Sequence, residues 1–245
     1  MDALHRDALA SLRLTWAPTS DDLWRPQAGL HVTGLNEGPL GEVLDAFSDA
    51  VHQPDASPLG VVLRGQAGSG KTHMLGQVRE RVQAQGGYFF IVELLDATSF
   101  WQSARAGILE SLGRPGAGQE TQLKDVLWEL ASVAHVTRAD RRAIVGDDEL
   151  TPDILERFVT GLFKVHRETV RQCRHTLRSL VLLGALDFGQ QDIGLAYLSS
   201  NDEPSGRSSW GLSVPTATPQ ETVRDIARIV ALAGPLVLAV DQIDT

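Results

Sequence analysis

Eight consecutive residues, Gly65-Gln66-Ala67-Gly68-Ser69-Gly70-Lys71-Thr72, fill every fixed position of the phosphate-binding pattern G-x-x-x-x-G-K-[ST]. Each residue type has a task there. The glycines let the backbone curl around an anion, so that several N–H groups point inward. A helix starting at about Lys71 adds the partial positive charge of its N-terminus. The Lys71 ammonium supplies a point charge for β- and γ-phosphates, and the Thr72 hydroxyl supplies a ligand for Mg²⁺. A second segment, Leu236-Val237-Leu238-Ala239-Val240-Asp241, is an apolar run ending in an acid. At the carboxyl end of a strand beside the loop, Asp241 would hold Mg²⁺ directly or through water. Together the two segments predict binding of ATP, or a closely related nucleoside triphosphate, with Mg²⁺. The guanine motif Asn-Lys-x-Asp does not occur, which leans toward adenine.

The elements that would position these groups can be read from periodicity. Leu59–Leu63 is a short apolar run that reads as a buried strand entering the loop. Thr72 to about Gln85 reads as the helix leaving it, stopped by Gly86-Gly87. Tyr88–Leu95, aromatic and β-branched, reads as a second strand and Leu236–Val240 as a third. Glu93 and Asp96 lie near the end of the second strand, within reach of the site, and read as capping or solvent-exposed acids. Residues 98–219 are dominated by helical patterns, among them Leu123–Val136 and one long helix from about 153 to 183, opened by the Thr151-Pro152 start signal. Strands alternating with helices predict an α/β fold, a parallel sheet with flanking helices. The helical stretch between the two motifs then reads as a large insertion. The expected division is 1–97 for the lead-in and loop half of the core, 98–219 for the helical subdomain, and 220–245 for the returning helix and strand.

The Gly-Gln-Ala-Gly-Ser-Gly-Lys-Thr octet (Walker A) and the Val-Asp-Gln-Ile-Asp run at Val240–Asp244 (Walker B) resemble the additional-strand P-loop ATPases, and within them the AAA+ and STAND groups. The arrangement looks most like large bacterial ATP-binding proteins of mobile-element and phage-defence clusters, including the BREX type. His31-Val32-Thr33-Gly34 is similar to the segment that contacts adenine in origin-recognition-type AAA+ proteins. The resemblance implies an ATPase in which Lys71 holds phosphate, Thr72 and Asp241 hold Mg²⁺, and a residue after Asp241 positions water. That family usually has Glu directly after the Asp. Here Gln242 stands there, and a neutral amide can orient water but cannot accept its proton. Asp244 is the nearby acid that could substitute. Two readings stay open: an ATP-hydrolysing motor or switch, and a nucleotide-gated assembly module with little or no hydrolysis. The family's fourth and fifth strands, sensors, arginine finger and lid would follow Asp241. The 245 residues are therefore expected to be the front part of a longer protein.

On the predicted helix from 153 to 183, Phe158, Leu162, Val165, Thr169, Cys173, Leu177 and Leu180 form an apolar stripe. Lys164, Arg167, Arg171, Arg174 and Arg178 run along the opposite side at three- and four-residue steps. Such a row suits DNA phosphates, an acidic protein partner, or simply solvent. The net charge of −9 excludes a chain-wide attraction to nucleic acid but not this local one. No apolar run approaches the roughly 20 residues of a membrane span. The single cysteine, Cys173, rules out an internal disulfide and fits a reducing compartment, so a cytoplasmic protein, alone or as a homo-oligomer, is expected.

Overall fold

The computed structural model describes residues 20–25, 36–53, 60–66, 68–93, 99–201 and 206–241. Ten α-helices, one short 3-10 helix (Arg207–Trp210) and two strands occur among them. In chain order the α-helices and strands are α1 (Ser20–Leu23), α2 (Glu37–His52), α3 (Lys71–Ala84), β1 (Tyr88–Glu93), α4 (Phe100–Leu112), α5 (Gln122–Val133), α6 (Arg138–Ile144), α7 (Pro152–Val165), α8 (Arg167–Leu183), α9 (Phe188–Leu198), α10 (Pro219–Ala231) and β2 (Leu236–Asp241). Local chemistry explains most of the boundaries. Thr121, Thr137, Thr151, Asp187 and Thr218 each cap the N-terminus of the helix that follows by accepting from a backbone N–H. Thr218 and Glu221 close a full capping box at α10.

The predicted α/β class is overturned. Among the described residues helix makes up 64% and the sheet has only two strands, so this is not a P-loop-type sheet with flanking helices. β1 and β2 pair in parallel, from Tyr88 opposite Leu236 to Glu93 opposite Asp241. The third expected strand does not form among the described residues: 60–66 has no regular structure, and Val61 and Val62 are 44% and 77% exposed. An apolar run favours burial, but a strand also needs a neighbour's N–H and C=O groups, and neither β1 nor β2 supplies them to 60–66. The outer edge of β1 is closed instead by side chains. Phe89 donates its N–H to Gln122 Oε1 and accepts from Gln122 Nε2, both at 2.9 Å, while Ile91 donates to Ser111 Oγ at 3.1 Å. These bonds satisfy the edge without a further strand.

The two faces of the sheet are buried differently. Phe89, Ile91 and Ala239 pack with Met74, Val78 and Val82 of α3 and with Leu23 and Trp24 of the lead-in. Phe90 and Val92 face the other way, into a larger core built by α4 to α10. The helical stretch therefore shares one apolar core with a face of the sheet. The single long helix expected from 153 to 183 is also corrected. It breaks at His166 (φ −120°, ψ 59°) into α7 and α8, and α8 kinks at Cys173. Of the expected stripe, Phe158, Leu162, Cys173, Leu177 and Leu180 are buried, whereas Val165, at the break, is 51% exposed. α6 and α9 have no counterpart in the periodicity reading.

Candidate phosphate-binding site

The loop residues behave as their types require. Gly68 and Gly70 take φ of 78° and 85°, the left-handed region that glycine adopts without strain. A side chain at Gly65 would bring its Cβ to 2.6 Å from Ser69 Oγ, so the Ser69 hydroxyl would have to turn away to make room for it. Ser69 N–H donates to the Gln66 carbonyl at 3.2 Å, turning the chain. α3 then begins at Lys71, with Gly70 as its N-cap residue. Its first N–H groups have no partner within the helix and lie at the positive end of its dipole. The Lys71 ammonium donates to the carbonyls of Gly65 (2.9 Å) and Gln66 (3.1 Å), and so lies across the loop. Ala67 lies outside the described residues, as do His31 to Gly34, Asp96, Gln242 and Asp244.

The fold brings the two sequence motifs together. Thr72 Oγ1 donates to Asp241 Oδ2 at 3.2 Å, although the residues are 169 positions apart in the chain. The contact follows from the packing of α3 over one face of the sheet, which sets the start of the helix beside the carboxyl end of β2. Hydroxyl and carboxylate are thus side by side below the loop.

The register also bears on Glu93, which in sequence lies within reach of the site but reads as a capping or solvent-exposed acid. Glu93 is the parallel-strand partner of Asp241. Residues paired across a parallel ladder project to the same face, and neighbouring strands lie roughly 4.8 Å apart. Phe89 and Ile91, two and four residues before Glu93, pack on the α3 side with Ala239, two before Asp241. Glu93 and Asp241 continue that alternation and so belong to the face that carries the loop helix, where Glu93 also lines a cleft with Trp24, Gly107 and Arg114. The pairing of Glu93 with Asp241 is what the sequence alone does not disclose.

Among the described residues no group of three or more His, Cys, Asp or Glu side chains converges on one point. The donor set of Thr72 and Asp241 instead fits Mg²⁺, which takes one or two protein oxygens and fills its other positions with phosphate and water. No protein-family profile, curated protein or solved structure matches the chain.

Away from the loop, Cys173 is buried and its thiol is pushed up to about 12, by burial first and then by the carboxylate of Asp225. It is an inert core residue. Among the described residues, no helix is long and apolar enough to cross a membrane.

Proposed function

We propose that this chain binds ATP, or a closely related nucleoside triphosphate, with Mg²⁺ at Gly65–Thr72 and Asp241, and hydrolyses it. The observation that carries the reading is the Thr72–Asp241 contact. A glycine-rich turn arising by chance would have no reason to meet the acid of a distant strand at 3.2 Å. Lys71 leaves its carbonyl partners for the β- and γ-phosphates, and the N–H groups opening α3 hold the same oxygens. Thr72 and Asp241 hold Mg²⁺, whose charge, when bound, offsets that of the phosphates. Glu93, the strand partner of Asp241, would orient a water and accept its proton as the γ-phosphoryl passes to that water's oxygen, releasing ADP. The likeness to AAA+ and STAND ATPases, in phage defence or another DNA-associated machinery, rests on the two motifs. The oligomer or protein partners such enzymes use belong to the same proposal. The cytoplasm is the compartment that best suits a lone buried thiol. Gln242 in the place of the usual Glu favours the second reading, a nucleotide-gated assembly module. Steady-state turnover separates the two.

Binding is tested by thermal melting with MgATP. A ligand at 100 times its Kd stabilises by about 2.7 kcal/mol, roughly 5–10 °C in a domain of this size. Lys71→Ala should remove most of that shift. A folded sample whose Tm does not move at saturating MgATP would refute the binding.

A further inference from the structure

The break at His166 folds α8 back against α7 and opens a groove of about 480 Å³ between them. Four of the five basic residues in the stripe, Arg167, Arg171, Arg174 and Arg178, line it; Lys164 does not. Their states differ. Arg178 is held in place, donating to Glu156 across the groove and to the Trp210 carbonyl at 3.2 Å. Its charge is already offset. Arg167, Arg171 and Arg174 are exposed, and among the described residues none of them forms a salt bridge. The Arg167 guanidinium lies 5.5 Å from the centre of the Phe163 ring. Arg174 donates to Nε2 of His175 at 3.1 Å, and burial, with the charges of Arg174 and Arg178, holds that imidazole below its usual pKa.

We infer that this groove binds single-stranded nucleic acid through its backbone. Three exposed arginines without a salt bridge line one groove of a chain whose net charge is −9, with Glu156, already held by Arg178, as the acid of that groove. Like charges held this close repel, and an anion relieves the repulsion. Steps of four and three residues set the three arginines about 6 and 4.5 Å apart along α8, a row that can follow a continuous line of phosphates. Phe163 with Arg167 adds a flat face on which a base can stack. An acidic peptide would use the charges and leave that face idle. None of this depends on the nucleotide site.

The test is fluorescence anisotropy of the full chain with labelled dT20 across a salt series. Three phosphate contacts predict a slope of log K against log salt near −2, about twentyfold weaker binding at 200 than at 50 mM. Arg171→Glu with Arg174→Glu should abolish binding, and Arg171→Gln with Arg174→Gln should weaken it, both at the parent's melting temperature. Binding to oligonucleotides of other base composition should be similar, because phosphate contacts carry no sequence information. The inference is overturned if the parent fails to bind, if the folded variants bind like the parent, or if a duplex binds more tightly than dT20. It is equally overturned if poly-glutamate displaces dT20 at equal charge concentration, which would mark the groove as a site for acidic proteins.

Discussion

Thr72, Asp241 and Glu93 differ in how the chain discloses them. Thr72 lies in a local pattern, so its role follows from eight adjacent letters. Asp241 ends an apolar run, and acquires meaning from its 3.2 Å contact with Thr72. Glu93 has no motif at all; its place opposite Asp241 exists only once the strands pair. The two acids should separate by mutation. Asp241→Ala removes the proposed Mg²⁺ ligand and should weaken MgATP binding, measured by calorimetry. Glu93→Gln keeps the shape and the hydrogen-bonding reach but cannot take a proton. It should leave MgATP affinity unchanged while slowing phosphate release by about a hundredfold or more, the usual contribution of a positioned base. Unchanged turnover in Glu93→Gln would transfer the base role away from this residue without touching the binding claim.

At the scale of elements, patterns were legible where the structure obeys one periodicity. The stripe Leu123, Val126, Leu127 and Leu130 is buried along α5, as expected. The run before the loop failed because hydrophobicity reports a preference for burial and not the presence of a partner strand. Val62→Ser should therefore change stability by no more than about 0.5 kcal/mol, as at other exposed positions, whereas a paired and buried strand would lose far more. The break at His166 was illegible for another reason: neither Gly nor Pro marks it, and the apolar spacing runs on across it. A different contact near this hairpin titrates. Arg157 grips Asp140 through two bonds of 2.8 and 3.1 Å, tying α7 to α6. This grip is the main reason the Asp140 carboxyl lies below its usual range. A carboxylate whose pKa is depressed on folding stabilises fully above its unfolded pKa, about 3.9, and loses that contribution as pH falls through the folded value. Asp140→Asn should therefore be less stable than the parent by a constant amount above about pH 5, with the gap closing below about pH 4. A gap that persists unchanged into acid would show that the ion pair is not its source.

Across the whole molecule, the helices between the two motifs and the sheet are joined through their side chains. Phe90 and Val92 of β1 lie in the same core as Leu127 of α5, Leu155 of α7, Leu180 of α8 and Ile226 of α10. Gln122, 1% exposed, bonds β1 to the same body. The division at 98 and 219 seen in sequence marks where alternating strands and helices give way to helices alone. Interior packing transmits the loss of one side chain to its neighbours, so the sheet and the helices should unfold in one cooperative transition. Phe90→Ala, on the strand, should cost about 3–5 kcal/mol, and Leu127→Ala, among the helices, about 2–5 kcal/mol. Each should shift the entire melting curve, with far-UV circular dichroism and tryptophan fluorescence moving together. The same coupling makes the nucleotide site a reporter on the helical body: MgATP should raise that single transition as a unit, including the part carried by α7 and α8. Two resolved transitions, with MgATP or Phe90→Ala moving one and Leu127→Ala the other, would show that the helices fold apart from the strands and that the shared core does not couple them.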